Sequence, residues 1–481
     1  MNTLLLEIAV VSLGVLLLLG DTFFPGLARK NTITYLGVAG LLGVLLLSFL
    51  PLAVPTAGST VAAFMTSDLL SVFFIRFLLI ATAAVLLMAP AFRPYLERYL
   101  PAERPGGGVA EFSILPIFAC AGLMWMVAAV DFIMIFVSLE LATISLYILV
   151  TYLRQNVASL EAGAKFLILG ALSTGFLVYG ITWIFGITGT TNLLALPAAI
   201  STLPEISLNP LLLGVALILV SLSFKIAAFP FQFWVPDVYQ GAPTPVTAYL
   251  SVASKAGGFV VLIRLLLELG QVPALAHKIN AVVTLLAGLT LLFGNFSAIP
   301  QTNMKRLLGY SSIAHAGYLL MGVASLGSKL AIPAVGFYFG AYLVMTLLSF
   351  VVLMVVADAT GGDEISRFNG LSVRSPLLAG AMLLAMASLA GIPFTAGFIG
   401  KFLIFEVALK QGHFGLVALG IVTVAAGFYY YFKVVRAMYW QQPLEESPIA
   451  ATATVKLLIA VLGAGILALG IYPAPVLAAL R

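Results

Sequence analysis

The chain has 481 residues, of which 62% are hydrophobic and only 9% are charged, and its mean hydropathy is +1.14. A soluble protein of this size needs far more polar surface, so the composition excludes a soluble globule and predicts an all-α integral membrane protein. The net charge of +5 comes from dispersed residues without a basic run, which argues against nucleic-acid binding.

About fourteen hydrophobic runs are long enough to cross a bilayer, since a core about 30 Å thick needs roughly 20 apolar residues per helix. The first run carries Glu7, has no basic segment before it and has no A-x-A cleavage site before Asp21. We therefore interpret it as a retained helix and not as a signal peptide. The predicted spans lie near residues 3–20, 32–50, 69–90, 112–130, 132–152, 163–187, 210–229, 246–269, 277–298, 306–325, 329–357, 376–409, 412–439 and 452–472.

The loops between these spans differ in their content of basic residues. The positive-inside bias predicts that the basic, odd-numbered loops face the cytoplasm and that both termini face the periplasm. The odd-numbered loops hold Arg29, Lys30, Arg93, Arg98, Arg104, Arg154, Lys305, Arg306, Arg367, Arg374 and Arg436, and the other side holds Lys278, Lys329, Lys410 and Arg481.

The chain contains one cysteine, Cys120, and three histidines that are far apart in sequence, His277, His315 and His413. An iron–sulfur cluster or a structural zinc site generally needs four Cys or His ligands, so the sequence predicts neither. The glycine-rich motifs that bind dinucleotides or nucleoside triphosphates are also missing. We therefore expect no metal and no cofactor in this chain, and an energy source outside it.

Two predicted spans, the seventh and the twelfth, combine a lysine with a proline: Lys225 with Pro230, and Lys401 with Pro393. They are five spans apart, so a tandem five-helix unit would be inverted relative to its twin. Inverted repeats with broken helices at matching positions are typical of transporters. The alternative is that two proline-containing helices coincide by chance. The repeat interpretation predicts a three-helix segment (1–111), two five-helix repeats (112–269 and 270–440) and a C-terminal helix (441–481).

Two charged side chains lie near the middle of predicted spans, where a charge costs roughly 2.5–3.5 kcal/mol and usually has a function. Glu140 is well inside its span, and its side chain is too short to reach either interface. Lys255 has Ser251, Ser254 and two glycines around it, which would admit water. A buried lysine beside a carboxylate is a proton switch, because burial disfavours the charged lysine and the carboxylate favours it.

Three other lysines permit a second interpretation, in which a long side chain near a helix end carries its charge to the membrane interface. Lys401 lies deep inside an apolar run and is predicted to be functional. Lys225 is also predicted to be functional, although its position before Trp234 fits an interfacial lysine as well. Lys165 is close to the start of its helix, where the interfacial interpretation fits better.

His315 has Ser311 and Ser312 one helical turn behind it, so a structural histidine and a proton relay fit equally well. Arg264 and Glu268 have the spacing of an ion pair on adjacent turns of one helix. No role follows from the sequence for Arg76.

The chain resembles the antiporter-like membrane subunits of proton-pumping NADH:quinone oxidoreductase, respiratory complex I, over about residues 112–440. The resemblance rests on three stretches: FKIAAFPFQFWVPDVYQGAPTPVTAYLSVASKAG, NMKRLLGYSSIAHAGYLL and SLAGIPFTAGFIGKF. The chain is most similar to the N-type subunits, because Lys401 stands where the M-type has a glutamate. It also ends soon after span fourteen, without the long lateral helix of the L-type.

The resemblance implies two inverted five-helix bundles, each with a half-channel at its broken helix. It implies that Glu140 pairs with Lys225. It also implies that Lys255 continues a hydrated polar axis along the membrane plane and that Lys401 belongs to the second half-channel.

The resemblance further implies that Lys165 lies near the glutamate, which reverses its interfacial interpretation, and that His315 is a relay on the central axis. NADH, FMN, iron–sulfur clusters and quinone would belong to other subunits. Those subunits, including sister antiporter-like subunits, would be the partners of this chain in the lipid bilayer of a bacterial inner membrane. Two alternatives stay open: a stand-alone or Mrp-type cation/proton antiporter, and a scaffold that joins neighbouring subunits without conducting.

Overall fold

A computed structural model describes residues 3–24, 31–50, 60–100 and 108–480. These residues form α-helices and connecting loops, and they contain no β-strand beyond three isolated β-bridges. Twelve of the described helices are long and apolar enough to cross a membrane, and two further apolar helices, Thr32–Leu47 and Pro376–Ala390, are shorter. The prediction of an all-α, multi-span membrane protein is therefore confirmed.

The α-helices are numbered here in chain order. They are α1 Thr3–Phe23, α2 Thr32–Leu47, α3 Thr60–Phe64, α4 Leu69–Arg98, α5 Val109–Ala128, α6 Phe132–Val150, α7 Val157–Thr188, α8 Leu196–Ser201, α9 Leu208–Ile226, α10 Trp234–Gly241, α11 Thr244–Tyr249, α12 Lys255–Leu269, α13 Pro273–Ala298, α14 Met304–Ala324, α15 Ala331–Thr360, α16 Leu371–Arg374, α17 Pro376–Ala390, α18 Ala396–Lys410, α19 Phe414–Trp440, α20 Ala453–Ile471 and α21 Ala474–Ala478.

The first interruption separates α9 from α10. Helix α9 ends at Ile226, and the next residue, Ala227, has a left-handed φ of 63°. Pro230 follows, and a proline cannot supply the backbone N–H that would continue the helix. The chain becomes helical again at Trp234, whose indole N–H donates to the carbonyl of Phe224 at 3.0 Å. The seventh predicted span is therefore broken where its proline indicates.

The second interruption separates α17 from α18. Helix α17 ends at Ala390, and Gly391 follows with a φ of 93°, the left-handed conformation that commonly terminates helices. Pro393 lies inside the gap, and helix α18 begins at Ala396. The twelfth predicted span is therefore also broken at its proline.

A third irregularity lies directly before Lys255. Helices α11 and α12 run as one apolar segment, Thr244–Leu269, with a π-helical turn at Leu250–Ser254 between them. Such turns are rare and are frequently found at functional sites. Helix α14 packs beside this segment. It is the most enclosed of the twelve candidate spans, because 94% of the residues in its most apolar stretch are buried. The π turn and α14 together place Lys255 in the interior.

The predicted ion pair between Arg264 and Glu268 is wrong. Arg264 donates to both carboxylate oxygens of Asp68, each at 2.9 Å, and Glu268 accepts from Gln271 at 2.9 Å. Asp68 also caps α4, because it accepts from the backbone N–H of Ser71 at 2.8 Å. This pair fastens the N-terminal helices to α12, and it satisfies the buried guanidinium better than a glutamate on the same helix would.

Four of the basic residues behind the predicted orientation lie outside the part of the chain that the structure describes. They are Arg29, Lys30, Arg104 and Arg481. The predicted boundaries at 111, 269 and 440 and the membrane sidedness stay predictions.

Candidate functional site

Glu140 lies on α6 beside α7. Its carboxylate accepts a hydrogen bond from the hydroxyl of Thr174 on α7 at 2.8 Å. The side chain is half-buried and lines a cavity of about 680 Å³ between the two helices, together with Tyr147 and Thr151. Glu140 thus lies at an opening of the bundle, with one hydroxyl partner inside it.

Lys225 lies in the last turn of α9 and is only 5% exposed. Its ammonium donates to the hydroxyl of Thr143 at 2.8 Å, and that hydroxyl donates to the carbonyl of Leu139 at 2.6 Å. The interfacial interpretation of Lys225 is therefore wrong, because the charged end is buried against α6.

The expected pairing of Glu140 with Lys225 is not a direct ion pair, since no nitrogen–oxygen distance between them falls within 4.0 Å. Thr143, the partner of Lys225, follows Glu140 by three residues on α6, so both lie on one face of that helix. Lys225 therefore binds a hydroxyl one helical turn after Glu140, and not the Glu140 carboxylate itself.

Lys255 is 1% exposed, and its ammonium donates to both the carbonyl and the hydroxyl of Ser312, the carbonyl at 2.6 Å. The Ser312 hydroxyl in turn lies 3.1 Å from the hydroxyl of Tyr239. One turn after Lys255, a Cβ atom at Gly258 would lie 3.2 Å from Cγ of Lys225. Lys225 and Lys255 therefore occupy neighbouring helices, and α14 receives the second lysine.

His315 lies one turn further along α14 and is 2% exposed. Its Nδ1 lies 2.7 Å from the hydroxyl of Tyr338, and its Nε2 lies 3.2 Å from the hydroxyl of Tyr431, which is also bonded to Ser311. Each ring nitrogen thus has a hydroxyl partner. A neutral imidazole can then accept a proton on one side and donate one on the other.

Lys401 is 6% exposed and lies in α18, just after the second interruption. Its ammonium donates to the last two carbonyls of α17, those of Leu389 at 2.8 Å and Ala390 at 2.9 Å. The same nitrogen lies 5.3 Å from the centre of the Tyr318 ring. Lys401 therefore occupies the negative end of a helix dipole.

Lys165 does not contact Glu140. Its side chain is 42% exposed and forms ion pairs with Glu161 at 2.7 Å and Asp237 at 2.8 Å. Thr174, which binds Glu140, follows Lys165 by nine residues on α7, a rise of about 13 Å. Lys165 therefore lies at the partly exposed start of α7, and its expected position near Glu140 is not observed.

Sequence reasoning missed Gln232, which lies inside the first interruption and is completely buried. Neither its amide nitrogen nor its amide oxygen has a hydrogen-bond partner among the described residues. Natural proteins rarely leave such atoms unpaired. The signal was available in the stretch FPFQFW, where one polar residue stands in an otherwise apolar break.

These residues form two hydrogen-bonded groups that meet on α14. The first contains Lys255, Ser312 and Tyr239, and the second contains Ser311, Tyr431, His315 and Tyr338. Among the described residues, none of the three buried lysines has a carboxylate within 4.0 Å, and no three His, Cys, Asp or Glu side chains gather as metal ligands. The chemistry that this arrangement supports is proton transfer between lysines, hydroxyls and an imidazole.

Comparison with known proteins identifies the family. Residues 129–427 match the family model described as NADH:quinone oxidoreductase/Mrp antiporter, TM. The chain belongs to this family. It is 40% identical to the NADH-quinone oxidoreductase subunit N of Trichlorobacter lovleyi, covering 99% of this chain and 95% of that protein. It is 38% identical to the subunit N of Heliobacterium modesticaldum with the same coverage.

Solved structures of this NADH:quinone oxidoreductase/Mrp antiporter family share the fold. A chain of respiratory complex I from Thermus thermophilus with bound aureothin is 31% identical, with a TM-score of 0.80 and 99% coverage of both chains. A chain of the Mrp complex from Dietzia sp. has the same TM-score of 0.80 at 18% identity, covering 99% of this chain and 95% of that one. The chain thus shares its fold with both solved structures, and its sequence identity is higher to the chain of complex I.

Proposed function

We propose that this chain is a proton-translocating membrane subunit of the N type in a NADH:quinone oxidoreductase. The observation that carries the proposal is the line of lysines, which consists of the buried residues Lys225, Lys255 and Lys401. Lys225 and Lys255 bind side-chain hydroxyls, and α14 continues the path to His315. Burying a charge is costly, so lysines without a carboxylate partner exchange protons with their neighbours readily. A path of hydroxyls, imidazole and lysine moves protons without any group that carries electrons.

Matching loop contacts support the inverted repeats. An antiparallel backbone pairing precedes α6, and a second precedes α14, with each residue of the second 172 positions after its counterpart. The donor–acceptor pairs are Phe132–Thr191 (2.9 Å) and Leu193–Val130 (2.8 Å) in the first and Met304–Asp363 (2.7 Å) and Ile365–Thr302 (2.8 Å) in the second. If the interrupted α9–α10 counts as one span, five spans separate the two pairings, which puts them on opposite membrane faces.

Fourteen spans result if the two shorter apolar helices, Thr32–Leu47 and Pro376–Ala390, also cross the membrane, the latter continued by α18. The excess of basic residues in odd-numbered loops then supports periplasmic termini in a bacterial inner membrane. The chain would serve without a redox site of its own. NADH, FMN, iron–sulfur clusters and quinone would be bound by partner subunits, whose reaction drives the protons.

Two substitutions test conduction directly. In the assembled complex in inverted membrane vesicles, Glu140→Ala and Lys225→Ala should each lower proton translocation while electron transfer from NADH to an artificial acceptor stays normal. Normal translocation at normal electron flux in both variants would overturn the proposal and favour a scaffold that does not conduct.

An Mrp-type cation/proton antiporter is the second candidate, because the Mrp chain has the same fold. Purification from native membranes separates the two. A respiratory subunit should copurify with a flavin-containing complex that oxidises NADH, whereas an antiporter subunit should copurify with a complex that lacks flavin.

A further inference from the structure

Glu7 is a buried carboxyl on α1, a helix that carries none of the buried lysines. It lies in the second turn of α1, and its side chain has no exposed surface. Neither carboxyl oxygen accepts a hydrogen bond from the described residues. An ionised carboxylate in this position would be both desolvated and unpaired, which is among the most costly arrangements in a protein interior.

The register between α1 and α5 identifies what faces Glu7. Two contacts show that these helices pack antiparallel. In the first, a Cβ atom at Gly14 would lie 3.0 Å from the Phe118 ring. Seven residues later on α1, Asp21 repels Glu111, which is seven residues earlier on α5. Seven residues make two helical turns, so these layers repeat on one face of each helix.

The same seven-residue spacing, continued in the other direction, predicts that Glu7 faces Trp125. Two contacts at the same end of the helices support this register: Thr3 lies 2.7 Å from Ser67, and the adjacent Thr66 donates its N–H to the carbonyl of Ala128 at 2.8 Å. The indole N–H of Trp125 is itself buried without a partner among the described residues. The carboxyl and the indole N–H are thus both buried, and neither is hydrogen-bonded to the other or to any other described group.

The charged and titratable groups around this layer leave Glu7 without a counterion. On α5 they are Glu111, two layers away, and Cys120; on α2 the only one is Tyr35, near the start of that helix. Arg76 of α4 donates to the carbonyl of Ser48 at 2.7 Å. Asp68, next to Ser67, binds Arg264 with both carboxylate oxygens, so that cation is already paired. No described cation lies within 4.0 Å of Glu7.

We propose that Glu7, facing Trp125, is a proton-binding site separate from the line of lysines, in which the carboxyl is neutral at pH 7 and is modified by apolar carbodiimides. The inference does not depend on the proposed function. It assigns to α1 a carboxylic acid that binds and keeps a proton, whereas the lysines of the central line exchange theirs.

The reaction with a carbodiimide requires a protonated carboxyl. The acid proton moves to a nitrogen of the reagent, and the carboxyl oxygen bonds to its central carbon, which gives an O-acylisourea. The acyl group then shifts from that oxygen to nitrogen and leaves a stable N-acylurea, with no atom lost and nothing oxidised. An exposed, ion-paired carboxylate such as Glu97, which is 47% exposed and binds Arg93 at 2.7 Å, lacks the proton for the first step.

The test is mass spectrometry of the chain after membranes with the assembled complex have been treated with dicyclohexylcarbodiimide at pH 6, 7 and 8. We expect an adduct on Glu7 whose yield changes less than about twofold across this range. A carboxyl of ordinary pKa, near 4.3 for Glu, loses about tenfold of its protonated fraction per pH unit. Glu97 provides that comparison within the same sample.

The variant Glu7→Gln should abolish the adduct at this position and leave proton translocation unchanged. Three results would overturn the inference: no adduct on Glu7 at a reagent concentration that labels other carboxyls of the complex, a tenfold fall in yield per pH unit, or labelling no stronger than that of Glu97. The pH series uses only the wild-type chain, so it decides the question even if the variant does not assemble.

Discussion

The two interrupted helices place their lysines against different partners. Lys225 precedes its break and donates to the hydroxyl of Thr143, whereas Lys401 follows its break and donates to the carbonyls of Leu389 and Ala390. A hydroxyl both accepts and donates a proton, but a carbonyl only accepts hydrogen bonds. The same combination of lysine and proline therefore produces a lysine bound to a side-chain hydroxyl in one half and a lysine that caps a helix in the other.

The carbonyls at the two helix ends have different donors. In the first break the carbonyl of Phe224 accepts from the backbone N–H of Ala227 and from the indole N–H of Trp234, and Lys225 donates to Thr143 instead. In the second break Lys401 itself takes the free carbonyls of α17. Lys401 thus has a structural contact with the end of a helix, whereas Lys225 has none.

Replacing each lysine by methionine gives the largest expected effect and separates the two roles. Lys225→Met should remove proton transfer through this chain with little loss of stability, because the Thr143 hydroxyl keeps its bond to Leu139. Lys401→Met leaves two buried carbonyls unpaired, at about 1–3 kcal/mol each. It should therefore lower the thermal midpoint of the complex much more than Lys225→Met does.

Proton uptake and thermal unfolding of both variants, measured on the same vesicle preparations, check this expectation. Equal losses of stability in the two variants would show that Lys401 is not a helix cap and would remove the contrast between the breaks.

Thr143→Val tests the hydroxyl that distinguishes the first break. A hydrogen bond to a charged group contributes about 1.5–3 kcal/mol, so its loss should slow proton translocation by about tenfold or more. Thr143→Ser keeps the hydroxyl and should restore the rate. The matched control is Thr290→Val, which removes a hydroxyl that binds the backbone of Phe229 in the same break.

The rate of proton uptake per electron transferred is the measurement for these three variants. A Thr290→Val defect as large as that of Thr143→Val would show that general loosening of the break, and not the Lys225 contact, controls the rate.

Gln232→Leu gives a smaller expected effect. If the buried amide binds water in the break, the variant should translocate protons more slowly, by a smaller factor than Thr143→Val, and should gain no stability. If the amide were truly unpaired, an apolar side chain of similar size would instead stabilise the complex by about 1–3 kcal/mol. Higher thermal stability with normal proton uptake would contradict a role for this residue.

The pair of Asp68 and Arg264 gives the smallest effect and tests a contact outside the line of lysines. Burial raises the pKa of Asp68, but hydrogen bonds from Arg264 and Ser71 outweigh it, so the pKa lies below its usual 3.8. The stabilisation is therefore present above about pH 4 and is lost as the pH falls through the lowered pKa.

Asp68→Asn should lower the free energy of unfolding by at most about 1 kcal/mol at pH 7, because the Asp68 side chain is 42% exposed. Thermal unfolding at pH 7 and pH 3 measures this difference, which should shrink at the lower pH while proton translocation at pH 7 stays normal. A difference that grows on acidification would contradict the pairing.

The sequence predicted the breaks and the buried charges because these are local properties. Pro230 and Pro393 disfavour a continuous helix at their own positions, although Pro90, Pro94 and Pro116 lie within helices. Glu140, Lys255 and Lys401 stand in apolar runs that leave them little alternative to the interior. The partners of these residues were not predictable, because Thr143 and Ser312 meet the lysines only through the register of packed helices.

Two expectations failed because a local rule competed with a distant partner. The spacing of Arg264 and Glu268 suits an ion pair, but Asp68, 196 residues away in sequence, binds the guanidinium with both oxygens. Lys165 similarly meets Asp237 from a segment 72 residues later. Only the packed bundle reveals such pairs.

The most direct test of the central claim is the number of protons translocated per NADH oxidised by the assembled complex carrying Lys255→Met. Lys255 is enclosed between α12 and α14, and its ammonium binds Ser312 at the centre of the line of lysines. If protons pass along this line, the ratio falls while NADH oxidation by an artificial acceptor stays normal. An unchanged ratio in a fully assembled complex would contradict the claim.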